Sequence, residues 1–132
     1  IFDLLNDMQI EYTKGNPTGG KYSRYKVPVA AAAAGIVAID GIWQQIKDKK
    51  GLEKDCKLGK ELGYSGKSII HPDQIKTTHK IFHPNFSEIS WSKLVVKEYE
   101  KSTKKGRGAI VIDGKMIDEV HYKRAKALLE II

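Results

Sequence analysis

The pattern of apolar and polar positions divides the chain near residue 82. Before that point, three short apolar segments each run into a polar residue and then into a helical pattern. They are Ile1-Phe2 into Asp3, Ile36-Val37-Ala38-Ile39 into Asp40, and Ser68-Ile69-Ile70 into His71. Each repeat has the length of a strand plus a crossover helix, so the pattern predicts consecutive β/α units. Residues 22–34 predict an alanine-rich helix closed by Gly35, with Pro28 marking a kink or a helix start. Residues 52–62 put Leu52, Cys56 and Leu62 on one side and stop at Gly63. Residues 72–82 open on Pro72 and place Ile75, Thr78, His79 and Phe82 at i, i+3, i+4 and i+7, which makes His79 a packed or boundary residue and not a ligand.

After Phe82 the pattern changes. Asn85 followed by Glu88 has the form of a capping box, and the helix it opens aligns Ile89, Leu94, Val95 and Tyr99 near one stripe. Residues 106–118 then read GRGAIVIDGKMID. Asp113-Gly114 between two short apolar runs predicts a hairpin with a type I′ turn, because both central residues need positive φ. A closing helix is expected from about 120 to 131, with Tyr122, Ala125, Leu128 and Leu129 inward. The hairpin is too short to stand alone, so Ile110, Ile112 and Met116 are expected to need a covering surface. Its second arm stops on Asp118, which, read locally, is the N-cap of the closing helix. The expected division is therefore 1–82 and 83–132.

Repeated strand–helix units imply a parallel sheet and the α/β class. In such folds ligands meet the carboxyl ends of the strands, which makes Asp3, Asp40 and His71 candidates for one site. Each is also acceptable as a simple helix cap. Lys and Arg number 23 against 16 Asp and Glu, a net charge of +7 that favours anions such as a phosphorylated cofactor or nucleic acid. The lysine clusters at 47–50 and 104–107 are short, broken by Asp or Gly and free of aromatics, so a solvated surface is the plainer reading. A basic nucleic-acid-binding domain is the alternative. No apolar run of about 18 residues is present, so no membrane span is expected. The start on Ile, with no charged-then-apolar leader, suggests a trimmed chain without a signal peptide. The single cysteine, Cys56, excludes internal disulfides; it fits a reducing, cytoplasmic compartment and reads as a structural thiol.

Several segments together carry a family resemblance. Residues 63–75, GYSGKSIIHPDQI, and the GRGAIVIDGKMID stretch resemble the citrate lyase beta-subunit-like, or HpcH/HpaI aldolase-like, family of CoA-ester lyases. So do Tyr22-Ser23-Arg24-Tyr25, the segment from Ala33 to Gly41, and the segment from Asp3 to Met8. The resemblance implies a (β/α)8 TIM barrel with a C-terminal helix–hairpin–helix lid. Such a barrel takes about 250 residues. Residues 1–82 are then the last β/α units and 83–132 the lid extension, active only with an N-terminal half that supplies a metal-binding Glu and substrate- and CoA-binding arginines.

The implied activity is Mg²⁺-dependent cleavage or condensation of a 3-hydroxyacyl-CoA, such as malyl-CoA or citramalyl-CoA, to acetyl-CoA and a 2-oxo acid. The alternatives are a citrate lyase beta subunit acting on citryl-CoA, or a non-catalytic subunit keeping the barrel. His71-Pro72 and Ile39-Asp40-Gly41 lean toward the malyl-CoA and citramalyl-CoA enzymes. By motif position the resemblance makes Asp3 the metal ligand and Asp118 the catalytic acid/base. Phe2, Ile70, His71 and Asp40 fall on the side of substrate and CoA. The lid is expected to close over a neighbouring subunit of a homo-oligomer, a trimer or hexamer, with no nucleic-acid or membrane partner. Ile1-Phe2 departs from the small or acidic residues that usually precede the family's Asp.

Overall fold

Helix α2, Thr18–Ala33, carries Pro28 in its interior, and the way the chain accommodates that proline organises what surrounds it. Proline has no N–H to offer the carbonyl four residues earlier. That carbonyl belongs to Arg24, and the hydroxyl of Tyr64 donates to it at 2.8 Å in its place. The helix therefore runs through the proline; it does not start there. It ends as Gly35 predicts: Gly35, at φ +67°, donates to Ala32 O, and Ile36 donates to Ala31 O, the paired closure of a Schellman motif. Gly63, at φ +97°, closes the next helix in the same way, with Tyr64 N–H on Gly59 O.

The computed structural model describes residues 2–10, 18–104, 106 and 108–130, with Phe2 and Thr18 given by their backbone alone. They fall into two units, Ile1–His83 and Pro84–Ile132. The first is α/β. It begins with helix α1, Phe2–Asp7, so the segment read as a truncated strand is helical from Phe2 onward, and Ile1 lies outside the described residues. A helix satisfies this backbone internally, where a strand would need a neighbour to pair with. Strand β1, Ile39–Asp40, lies parallel to β2, Gly66–Lys67, with Ile39 opposite Gly66 and Asp40 opposite Lys67. Ser65 N–H to Ala38 O and Ser68 N–H to Asp40 O extend the pairing at either end.

Both strands are displaced from the apolar runs: β1 shares only Ile39 with its run, and β2 ends just before Ser68. Ile36 and Val37 precede β1, Ile69 and Ile70 follow β2, and all four are exposed. Pairing is pinned by the opposed charges of Asp40 and Lys67, not by the neighbouring isoleucines. Helix α3, Lys49–Glu61, is capped by Asp48 and buries Leu52 and Cys56; Ala31, Ala38 and Tyr64 form a small core with Leu62 and Phe82. A 3₁₀ turn, Pro72–Gln74, leads into α4, Ile75–Phe82. The tighter opening turn moves the inward position from Ile75, which is 53% exposed, to Gln74, which is completely buried.

The second unit follows its local signals closely. Asn85 and Glu88 form a reciprocal capping box at the start of α5, Phe86–Thr103. β3, Ile110–Ile112, and β4, Lys115–Ile117, make the hairpin, with positive φ at both Asp113 and Gly114. Helix α6, Glu119–Glu130, closes it. Ile112 and Ile117 enter a core with Val95, Tyr99 and Ala125, and the Tyr99 and Tyr122 rings stack at 4.9 Å. The hairpin thus finds its covering surface on its own unit's helices. Its inward pair is Ile112 and Ile117, while Met116, expected inward, is 65% exposed beside its cross-strand neighbour Val111.

Candidate functional site

Asp40 ends β1, and its surroundings are built from residues distant in sequence. Arg24, on α2, donates from Nε to Asp40 Oδ1 at 3.0 Å and from Nη2 to Oδ2 at 2.5 Å. Its Nη1 reaches Asp55 Oδ1 on α3 at 2.7 Å. Lys67 bridges the same two acids, at 2.9 Å from Asp40 Oδ2 and 2.5 Å from Asp55 Oδ2. All four residues are buried, and two cations balance two anions. Burial alone would raise the Asp40 pKa, but the hydrogen bonds and charges of Arg24 and Lys67 outweigh it and hold the carboxyl below the usual range. Burial likewise acts to lower Arg24, and the two aspartates more than reverse it. Gly41 N–H also donates to Oδ1. Asp40 therefore faces inward with both oxygens engaged, where the strand-end pattern predicted a residue presented to a ligand.

Beyond the strand ends, Gln74 joins the two loops that follow β1 and β2. Its Oε1 accepts from Ile70 N–H at 3.0 Å, and its Nε2 donates to Trp43 O at 2.8 Å. The cross-link brings the segment after Asp40 beside the segment that carries Ile70 and His71. The Ile70 side chain is exposed. His71 caps the 3₁₀ turn, its Nδ1 accepting from Asp73 N–H at 3.1 Å, which leaves the ring proton on Nε2 as a donor.

Asp3 lies in the first turn of α1, exposed and, among the described residues, without a hydrogen bond or ion pair. A single open carboxylate fits one position around a hard cation, which takes oxygen ligands. The described residues contain no group of three His, Cys, Asp or Glu that would complete a metal site. The Phe2 side chain lies outside the described residues. Cys56 is buried against Thr78, and burial pushes its thiol up, in keeping with a structural thiol.

In the second unit Asp118 stands between β4 and α6. Its Oδ1 accepts from Val120 N–H at 3.0 Å and from His121 N–H at 3.2 Å, the expected N-cap. The same oxygen lies 2.7 Å from His121 Nδ1. His121, hydrogen-bonded to the carboxylate by its ring and backbone, holds Asp118 below the usual carboxylate range. Among the described residues Oδ2 has no partner, so Asp118 presents one anchored and one open oxygen.

Sequence reasoning missed Asp55, Lys67 and Gln74, which act only through long-range contacts. Arg24, Lys67 and Gln74 lie in segments that carry the family resemblance, which gives none of them a role. His121 was within reach: a histidine three residues after an N-cap Asp occupies the capping-box position.

The HpcH/HpaI aldolase/citrate lyase family matches residues 2–72, and the chain belongs to this family. It is 33% identical over 101 residues to a (3S)-malyl-CoA thioesterase of Cereibacter sphaeroides, covering 76% of this chain and 35% of the relative. It is 34% identical over 120 residues to the citrate lyase subunit beta of Haemophilus influenzae, covering 89% of this chain and 41% of the relative. The chain thus spans well under half the length of these curated relatives. In fold it resembles CitE from Mycobacterium tuberculosis, solved in complex with magnesium, acetoacetate and coenzyme A. That likeness has a TM-score of 0.74 at 24% identity and covers 98% of this chain and 48% of that one. Among the described residues no helix is long and apolar enough to cross a membrane.

Proposed function

We propose that this chain is the carboxyl-terminal part of a Mg²⁺-dependent carbon–carbon lyase. The enzyme cleaves, or in reverse forms, a 3-hydroxyacyl-CoA such as malyl-CoA or citramalyl-CoA, giving acetyl-CoA and a 2-oxo acid. Residues 1–82 would supply the last β/α units of a TIM barrel and 83–132 its lid. Family membership supports the reaction class. Two features support the partial barrel: the fraction of its relatives that the chain spans, and a parallel pair of strands, the only one among the described residues, flanked by exposed Ile36, Val37, Ile69 and Ile70. Parallel strands are ordinarily buried on both faces.

The observation that carries the reading is Asp118, a carboxylate at the end of the hairpin with Oδ1 anchored and Oδ2 open among the described residues. In cleavage, the bond between C2 and C3 breaks, the C3 hydroxyl gives up its proton and becomes the carbonyl of the oxo acid. The electron pair passes to the thioester enolate, and C2 takes a proton to give acetyl-CoA. Asp118 is assigned that proton exchange, at Oδ2. Mg²⁺ held through Asp3, with ligands from outside this chain, would supply positive charge to the carboxylate and carbonyl of the oxo acid. His71, through its Nε2–H, and Ile70 and Phe2 are assigned to the substrate and CoA side. Asp40 is assigned to support of the strand end, because its carboxylate is already committed.

Citryl-CoA cleavage, as in a citrate lyase beta subunit, is the second reading; the share of this chain that aligns with that relative favours it. The test is the full-length protein incubated with malyl-CoA, citramalyl-CoA and citryl-CoA, with and without Mg²⁺, and assayed for acetyl-CoA and oxo acid. Turnover of malyl-CoA or citramalyl-CoA that requires Mg²⁺ supports the proposal. Turnover of citryl-CoA alone selects the second reading, and no lyase activity on any of them overturns both.

A further inference from the structure

The proton exchange assigned to Asp118 needs one oxygen presented in a defined direction, and an N-cap alone does not achieve that. Backbone N–H groups at a helix start can donate to either carboxylate oxygen, and a surface aspartate can turn its carboxylate end over end. Here Val120 N–H, His121 N–H and His121 Nδ1 all converge on Oδ1, and the ring contact is the shortest of the three at 2.7 Å. With the proton on Nδ1 that spacing is a hydrogen bond to a charged acceptor; the same nitrogen also lies 3.4 Å from Asp118 N–H, the reciprocal contact of the cap.

We propose that His121 is a positioning residue for Asp118: by anchoring Oδ1 it leaves Oδ2 as the oxygen that exchanges a proton with the substrate. The inference rests on the reading of Asp118 as the acid/base. The imidazole has little packing to do, since 52% of its side chain is exposed. The hydrogen bond also favours the ionised carboxylate, the form that accepts a proton. Several other charges on α6, and on the helix and strand packed against it, are otherwise engaged, and Arg124, Lys126 and Glu130 of α6 make no hydrogen bond or ion pair with Asp118 among the described residues. Glu119 pairs with Lys123 at 2.8 Å, Glu100 of α5 accepts from Tyr122 at 2.9 Å, and Lys115 of β4 lies over the Trp91 ring. His121 is thus the side chain that acts on Asp118.

The test compares His121→Leu, His121→Asn and Asp118→Asn in the full-length protein, using steady-state kinetics with the CoA ester it cleaves and Mg²⁺. Leu removes the donor. Asn can keep an N–H donor near the place of Nδ1 but cannot titrate. For His121→Leu, kcat should fall about tenfold, as loss of a hydrogen bond to a charged group implies, with KM unchanged. The acid limb of its kcat/KM profile should move to higher pH, because Asp118 loses the partner that holds its carboxyl ionised. His121→Asn should recover most of kcat, and all variants should melt with the parent. Wild-type kcat and pH profile in His121→Leu, with Asp118→Asn inactive, overturns this inference alone. A loss of stability parallel to the loss of rate, with no rescue by Asn, reduces His121 to a cap partner and also overturns it. Full activity in Asp118→Asn overturns the reading beneath it.

Discussion

Arg24 meets Asp40 along its guanidinium edge, Nε to Oδ1 and Nη2 to Oδ2, and the pair ties α2 to the end of β1 inside the protein. A bidentate pair of this kind holds orientation as well as charge, and here the same guanidinium also reaches Asp55. The arrangement has direct consequences for stability.

Replacing Arg24 by Met leaves two buried carboxylates to share Lys67. Breaking a buried pair by removing one partner costs about 3–5 kcal/mol, so the urea midpoint of Arg24→Met should fall by that equivalent at neutral pH. The folded Asp40 carboxyl lies below its ordinary value, so the stability it contributes is present above the unfolded value and lost as pH falls through the folded one. The gap between wild type and Arg24→Met should therefore narrow below about pH 4. A gap independent of pH would remove the charge explanation.

Gly59→Ala separates helix propensity from packing. Within a helix Ala is favoured over Gly by about 0.8–1 kcal/mol. A Cβ on Gly59, however, would stand 2.8 Å from Asp40 Oδ2 and 3.4 Å from Phe82. Arg24 and Lys67 hold that oxygen in place, so it cannot give way cheaply. Gly59→Ala should be destabilised by about 1–3 kcal/mol, the usual range for overpacking. A raised melting temperature would show that the acid cluster yields.

Asp3→Ala should leave the melting temperature of the full-length protein unchanged, because the side chain is exposed and unpartnered among the described residues. Mg²⁺-dependent turnover should be lost. Isothermal titration of Mg²⁺ into the variant provides the second readout, and wild-type metal binding would exclude Asp3 as a ligand.

Asp118→Asn keeps the cap to Val120 and His121 but removes the proposed acid/base. Rate should fall by roughly 10²–10⁴-fold with little change in stability. Val111 and Met116 leave an exposed apolar strip on the hairpin, 73% and 65% accessible, which suits a lid that closes on a neighbouring subunit. Co-refolding Asp118→Asn with Asp3→Ala should then restore part of the activity through mixed interfaces. If mixed oligomers form and remain inactive, the lid serves its own subunit.

Features whose partners are close in sequence were legible without the fold. The turn at Asp113-Gly114 is set by the φ requirement of two residues, and the closures at Gly35 and Gly63 by one residue each. The capping box of α5 joins residues three apart. The N-cap role of Asp118 belongs to the same class, because its partners Val120 and His121 follow it by two and three residues. Within unit one the outcome was different. Hydrophobicity predicts strands at Ile36–Ile39 and Ser68–Ile70, yet hydrogen bonding centres on Ile39–Asp40 and Gly66–Lys67.

By itself, then, the amino-acid sequence determined the helices, caps, turn and family, since each depends on interactions across a few residues or on motif order. Only the tertiary structure decided the strand register and the partners of Asp40. Arg24 and Lys67 approach Asp40 from 16 and 27 residues away, and nothing local to Ile39-Asp40-Gly41 foretells them. A carboxylate at a strand end is a ligand if left open and a structural anchor if neutralised. That choice is made by the desolvation of the whole cluster: burying Asp40 alone would cost far too much, and burying it with two cations and a second acid is feasible.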